Sequence, residues 1–410
     1  MSKKKRIFIS MHYMEIGGAE ISLIGLLQAI DYSLYDVDLF IHSHQGELMQ
    51  FIPKEVNLLP EIKSYSYIER PLTDALRNGE WKIVYGRLMA KWQFVGYLKR
   101  KNPKDGSAAL QYVARNIEPY LTSLYDYGEY DLAVSFLHPH NYVLSKVKAK
   151  KKICWIHTDY STIDVDTELE LPIWLGYDHI MSISSEASKA FLKVFPSLSS
   201  KVMIMENILS PRFVLGRSEL MLQSEVEKEM PREDNLVRLL SVGRFSEAKN
   251  YDNVPDICKR VNALLFDLNT SLSVKWYIIG YGDESLIHQK IAESGMEKNV
   301  IILGKRSNPY PYIKACDIYV QPSRYEGKSV TVREAQMLGK PVAVTNYATA
   351  ASQIKDGVDG CIVPMDNEGC ARGLAEFILD KELQNDIVDY LQTHDYGNES
   401  EIEKLYKLIP

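Results

Sequence analysis

The sequence predicts an α/β protein of two doubly wound, parallel-sheet domains, and three observations carry that expectation. Its 410 residues exceed what one hydrophobic core normally supports, so two domains of about 200 residues each are expected. Short β-branched runs alternate with helical patterns along the chain, the signature of βαβ units. The segments directly after these runs are rich in glycine, basic residues, serine and histidine, as suits the ligand-binding carboxyl edge of a parallel sheet.

In the first half the strands are IFISM (7–11), VDLFI (37–41), LAVSFL (132–137), KICWI (152–156), HIMSIS (179–184) and VMIM (202–205). In the second half they are LVRLLSV (236–242), VKWYII (274–279), NVIIL (299–303), DIYV (317–320), PVAV (341–344) and CIV (361–363). Between the two sets runs a charged, polar passage, 210–235, in which the domain junction is placed. The tail from residue 381 reads as helical. Two sheets with busy carboxyl edges suggest a cleft between domains that shares one ligand.

Composition excludes several classes. The chain is 46% hydrophobic and 25% charged, which argues against disorder, and its net charge of −6 gives no reason to expect nucleic acid. Five scattered cysteines, Cys154, Cys258, Cys316, Cys361 and Cys370, suit a reducing cytoplasm and neither a disulfide framework nor a zinc cage. The apolar run after the basic start is too short for a signal peptide, and nothing approaches a spanning helix. The protein is expected to be soluble or to sit on a membrane surface. One segment favours the latter: Trp81 to Lys104 holds seven basic residues and no acidic one, with Val84, Leu88, Trp92, Val95 and Leu98 at helical spacing. The plainer alternative is a helix packed on its domain with a solvated basic face.

The densest stretch is PSRYEGKSVTVREAQMLGKPV, 322–342. A helix is expected over Ser329–Leu338, closed by Gly339 with Pro341 beyond. Glu326 then precedes the helix and Glu334 projects from its second turn. Backbone N–H groups of Lys328, Ser329 and Val330 at the helix start would attract phosphate. The carboxylates would repel it and should grip sugar hydroxyls instead. Arg244 and Lys249, in the loop after LVRLLSV, could neutralise a diphosphate. Gly17 and Gly18 follow the first strand and would let backbone approach a ligand. They are not the GxGxxG fingerprint, and GYGDE also lacks its third glycine, so a dehydrogenase is not indicated. His157 ends an apolar strand, while His12, His42, His44, His138 and His140 cluster at other strand ends without metal-ligand spacing. Each of these features alone also fits a solvated or packed residue.

Taken together and in order, VGRFSEAKN, YIIGYGDE, VIILGK, KACDIYVQPSRYEGKSVTVREAQMLGKPVAVT and DGVDGCIV resemble the retaining glycosyltransferases of family 4, also called group 1. The resemblance is strongest from Val242 to Val363. It implies the GT-B fold, two facing Rossmann-like parallel-sheet domains with an interdomain cleft. The implied layout is an acceptor domain over 1–209, a nucleotide-sugar donor domain over 210–385, and a helix over 386–410 packing back on the first domain. Carried over by position, it implies catalytic roles for His157, Arg244, Lys249 and Glu326. Donor contacts are implied at Gly17, Gly18, Gly243, Arg244, Lys249, Gly280, Lys305, Glu326, Gly327, Lys328, Ser329, Val330 and Glu334. Lys328 departs from the aromatic residue common in the family and could bind a phosphate or carboxylate on an unusual sugar or add charge to the diphosphate site.

The implied activity is metal-independent, retaining transfer of a sugar, from a UDP-sugar first and a GDP-sugar next, to a glycan or lipid-linked acceptor hydroxyl in surface polysaccharide or glycoconjugate synthesis. The implied place is the cytoplasm; a place on the inner face of an anionic membrane rests on residues 81–104 together with the family's common roles, beside the plainer packed-helix alternative. No cofactor is implied, since the nucleotide-sugar is a substrate. Two rivals share the fold: a nucleotide-sugar epimerase, which would convert donor without acceptor, and a non-catalytic partner subunit. Retention of Glu326, Glu334, Arg244, Lys249 and His157 weighs against the latter.

Overall fold

Residues whose strands are apolar on both faces form two parallel sheets, as buried βαβ strands do. The computed structural model describes residues 4–15, 17–103, 106–326 and 329–410. The first sheet holds β1 (Lys5–Met11), β2 (Tyr35–Ile41), β3 (Asn57–Leu58), β4 (Glu129–Ser135), β5 (Lys148–Ile156), β6 (His179–Ser182) and β7 (Val202–Ile204). Its order is β3-β2-β1-β4-β5-β6-β7. The second holds β8 (Leu236–Val242), β9 (Ser273–Ile279), β10 (Val300–Gly304), β11 (Ile318–Gln321), β12 (Val342–Thr345) and β13 (Cys361–Val363), in the order β10-β9-β8-β11-β12-β13. Strand order therefore reverses between β1 and β4 in one sheet and between β8 and β11 in the other. At such a point the loops on either side diverge and leave a crevice at the carboxyl ends.

Within β1, Lys5 is exposed and Ile7 to Met11 are buried, and β2 and β4 dry out toward their carboxyl ends in the same way. Side chains leaving those ends start from a low-dielectric floor, which strengthens whatever electrostatics the loops supply. The first core gathers Phe8, Tyr65, Tyr130, Trp174 and Phe191. The second gathers Leu239, Val261, Trp276, Val320 and Leu374.

The chain divides into one unit of Met1–Ile208 with Asn398–Pro410 and another of Leu209–Gly397. A single helix over 386–410 does not form. The helix Lys381–Thr393 buries Ile387 and Leu391 in the second core, because those residues recur at helical spacing on one face. Only the last residues join the first unit. There Tyr406 stacks on Tyr35 at 4.5 Å, its hydroxyl accepts from the Asp31 N–H at 2.7 Å, and the Lys5 ammonium donates to the Pro410 carbonyl at 2.7 Å.

Two further differences matter for the site. The polar passage 210–235 contains the helices Pro211–Ser218 and Gln223–Glu229; the first starts from a Ser210 hydroxyl cap with proline at its first position. The helix expected over Ser329–Leu338 spans Val330–Met337, with Ser329 as its cap residue. Strand β3, of two residues, is too short to show a pattern and was not expected. No helix among the described residues is long and apolar enough to cross a membrane.

Candidate active site

The reversal point of the second sheet lies between the loops after β8 and β11, and a buried ion pair joins them. Lys249 Nζ lies 2.5 Å from Glu326 Oε1, with the two side chains 19% and 12% exposed. The same carboxylate accepts from the Ser323 hydroxyl at 2.6 Å and the Gln321 amide at 3.1 Å. Local folding explains the convergence. After the short 3-10 turn Glu247–Lys249, Asn250 adopts φ 60° and donates from its side chain to the Pro322 carbonyl at 2.9 Å. The Arg324 N–H returns to the Ala248 carbonyl at 2.8 Å, and its guanidinium pairs with Asp252 at 2.6 Å. The pair is thus held by a stitched frame rather than by two free side chains.

Beside it the loops after β8 and β9 touch. A Cβ at Gly280 would lie 2.1 Å from the Gly243 carbonyl oxygen, so only glycine fits there. The Phe245 N–H donates to the Tyr281 carbonyl at 2.8 Å. This holds the half-exposed Tyr281 ring outward, with the Arg244 guanidinium 5.9 Å and the Lys305 ammonium 5.5 Å from its centre. A Cβ at Gly243 would meet Lys249 Cε at 3.0 Å, so the lysine stem runs across that glycine. Arg244, Lys249 and Lys305 therefore bring three cations to one edge of the sheet, the charge a diphosphate requires.

Glu334 is only 2% exposed and accepts from the Tyr310 hydroxyl at 2.6 Å. Burial pushes its carboxyl up to about 7, opposed by that hydrogen bond and by the Arg217 charge. Arg217 comes from the helix Pro211–Ser218, donates to the Ser307 carbonyl at 2.6 Å and lies 5.6 Å over the Tyr310 ring.

The expected open donor at Ser329 is not open. Its N–H donates to Gln353 Oε1 at 3.0 Å, and Gln353 returns its amide to the Ser329 carbonyl at 2.6 Å. A glutamine from another segment has satisfied the group before any ligand arrives. Val330 begins the helix proper. Gly327 and Lys328 lie outside the described residues.

Several residues here escaped the sequence reading. Ser323 and Gln321 directly follow or end β11, so the strand-end rule could have found them. Tyr251 and Tyr347 are each 1% exposed, and neither hydroxyl has a hydrogen-bond partner among the described residues. Both phenols are pushed upward, first by burial and then by the Glu326 charge.

In the first unit, His157 follows β5. Burial pulls its imidazole down to about 3, opposed by a hydrogen bond to the Phe136 backbone, so it is neutral at physiological pH. Its Nε2 is buried without a partner among the described residues. The strand-end histidines do gather: the rings of His12 and His42 are 5.6 Å apart, as are those of His138 and His140. Burial lowers all four. Among the described residues, no three His, Cys, Asp or Glu are placed to hold a metal ion together. At Gly17, which caps the helix Gly18–Ala29, the close neighbour is Glu20: a Cβ would meet Glu20 Oε2 at 2.2 Å, whereas Gly18 has open space beside it.

The family model described as glycosyl transferases group 1 matches residues 223–394. The lipopolysaccharide core biosynthesis glycosyltransferase LpsE of Rhizobium meliloti is 24% identical over 153 residues, 37% of this chain and 42% of that protein. The N-acetylgalactosamine-N,N'-diacetylbacillosaminyl-diphospho-undecaprenol 4-alpha-N-acetylgalactosaminyltransferase of Campylobacter jejuni is 31% identical over 153 residues, 36% of this chain and 38% of that protein. The chain thus spans about two fifths of the length of these relatives. In fold, Anabaena HepE in complex with UDP and glucose superposes with a TM-score of 0.64 at 15% identity, covering 98% of both chains.

Proposed function

We propose that the protein, whose residues 223–394 match the group 1 glycosyl transferase model, is a retaining glycosyltransferase that moves a sugar from a nucleotide-diphosphate sugar to an acceptor hydroxyl. The observation that carries this reading is the Lys249–Glu326 pair across the reversal point of the second sheet. The donor's diphosphate would lie along Arg244, Lys249 and Lys305, with the start of the helix Val330–Met337 adding its dipole. The ammonium then exchanges its carboxylate partner for phosphate oxygen. Glu326, released, accepts from hydroxyls of the transferred sugar, and Glu334 accepts from the ribose.

In the reaction the bond from anomeric carbon to diphosphate oxygen breaks while the acceptor oxygen bonds to the same face of that carbon. The departing phosphate oxygen takes the acceptor's proton. The three cations stabilise the charge that grows on the leaving group, which makes a metal ion unnecessary in this reading. His157, neutral and with Nε2 unpartnered, serves as a hydrogen-bond acceptor to a substrate hydroxyl and does no proton chemistry.

A UDP-sugar is the favoured donor, supported by UDP in HepE, with a GDP-sugar next. The acceptor class is a surface glycan or a lipid-linked glycan at the inner face of the membrane, supported by the activities of the two bacterial relatives. Calorimetry with EDTA present, using UDP, GDP, ADP and their sugar conjugates, tests the reading. Binding of one nucleotide that Lys249→Met weakens by about tenfold or more supports it. A folded protein that binds none of them overturns it.

A further inference from the structure

We propose that the outer face of the helix Trp81–Lys101 is a docking surface for an anionic lipid bilayer. The proposal rests on the transfer reading only for its use, since it would bring the enzyme to a lipid-linked acceptor; the contact itself stands on the helix.

At 21 residues the helix is about 31 Å long. One face is packed. Ile83, Gly86, Ala90 and Tyr97 are buried, and at Gly86 the absent Cβ lets the Asn116 carbonyl approach within 2.7 Å of where it would be. The opposite face carries Trp81, Tyr85, Leu88, Trp92 and Val95, exposed by 67%, 56%, 53%, 72% and 41%. Steps of four, three, four and three residues hold these side chains in one continuous stripe. Val84, expected in this stripe, is buried at its edge instead, because it stands further round the helix toward the packed side. Single exposed apolar residues need no explanation, but a full-length stripe does.

Tryptophan sharpens the point. The chain has five, and Trp155, Trp174 and Trp276 are buried, so both exposed ones stand on this stripe. Indole combines a large apolar body with a polar edge, the combination favoured at a membrane–water interface. Charge flanks it. Lys82, Lys91, Lys99, Arg100 and Lys101 are exposed, and the helix contains no acidic residue, although the chain as a whole carries a net charge of −6. Long basic side chains can lay their stems along the stripe and reach outward to phosphates. A groove of about 890 Å³ opens beside the stripe, with Trp92, Lys99 and Arg115 on its lining and Asp166 and Glu168 also on it. Asp166 is engaged by Tyr112 and by the N–H groups of Glu168 and Leu169, and Glu168 lies 3.9 Å from Lys101. A second copy of the chain fits less well. A two-fold contact through this face would set rows of lysine and arginine against each other.

The test is co-sedimentation of the full chain with phosphatidylcholine vesicles, with and without phosphatidylglycerol. We expect binding only to the anionic vesicles, weakening as salt is raised. Trp81→Ser with Trp92→Ser should cut it by about tenfold or more, and Lys91→Gln with Lys99→Gln should remove most of its salt dependence. All four side chains are exposed, so a thermal melt should match the parent, and nucleotide binding should not change. No binding, equal binding to neutral vesicles, or binding unaffected by the tryptophan pair overturns the proposal. So does a parent dimer in light scattering that the tryptophan pair dissolves while vesicles recover neither protein. Vesicle binding in a protein that takes no nucleotide would overturn the transfer reading and leave this one standing.

Discussion

Lys249 and Glu326 are joined at 2.5 Å across the loops after β8 and β11, and each is mostly withdrawn from water. A buried pair of this kind adds little net stability, because desolvation offsets the attraction. Each residue of its frame, Ser323, Gln321, Asn250 and Arg324, is nevertheless hydrogen-bonded. What the frame provides is a cation already positioned for a ligand.

The two partners should therefore respond differently to substitution. Lys249→Met is expected to weaken UDP binding by about tenfold or more, roughly 1.4 kcal/mol. Glu326→Gln should hold or strengthen UDP binding, since the ammonium no longer has a competing carboxylate, while transfer from the sugar conjugate falls. Calorimetry with UDP alone separates the cases. Equal losses of UDP affinity in both variants would mean that the pair only holds the loops in place.

Glu334 gives a pH signature. Its folded pKa is pushed from 4.5 up to about 7 by burial, so the stability tied to its protonated form is present below pH 4.5 and is lost as pH rises toward about 7. Glu334→Gln should then be more stable than the parent near pH 8, by at most roughly 3 kcal/mol, since each tenfold change in proton affinity is worth about 1.4 kcal/mol. Glu170, also pushed up to about 7, is unchanged in both proteins and cancels from the difference. Urea melts across this range check the sign. UDP binding should weaken as pH falls below about 7, where the carboxyl no longer carries charge for the ribose hydroxyls, and the Gln variant should lose that dependence.

Much of this arrangement was legible in the chain, for identifiable reasons. Strands β8 and β13 lie where the apolar-rich runs Leu236–Val242 and Cys361–Val363 stand; β8, buried at all but its first residue, reads as a central parallel strand does. Lys249 and Glu326 were visible because polar residues just past such runs fall on the ligand edge. Arg217 was not, since its short helix lies in a passage that reads as a charged linker. The Gln353 bond to the Ser329 N–H joins residues 24 apart, a tertiary contact that no local pattern encodes. Tyr251 and Tyr347 read as ordinary aromatic residues, and only their buried, unpartnered hydroxyls set them apart.

His157 should be silent in titrations near neutrality. Burial holds its pKa down at about 3, so a pH–rate profile of transfer should show no limb from this group near its ordinary value of 6.5. His157→Ala should lower transfer by about a hundredfold while leaving the UDP dissociation constant unchanged. A limb near 6.5 that vanishes in His157→Gln would show that the imidazole titrates during turnover and that its neutral role is wrong.

Tyr347 allows the site and the core to be told apart by reading affinity beside stability. Its hydroxyl is buried without a hydrogen-bond partner among the described residues and lies within the influence of the Glu326 charge. An unpaired buried hydroxyl costs about 1–3 kcal/mol. If the hydroxyl were only part of the core, Tyr347→Phe would raise the unfolding free energy, by up to about 1 kcal/mol, and change nothing else. If a donor phosphate or sugar hydroxyl completes it, the same variant should be at least as stable as the parent yet bind the sugar nucleotide about tenfold more weakly. Tyr251→Phe, in the same position with respect to Glu326, serves as the paired comparison. Melts and calorimetry on one preparation read both quantities. Gained stability with unchanged affinity would remove Tyr347 from the site, whereas lost affinity without lost stability would place its hydroxyl against the donor.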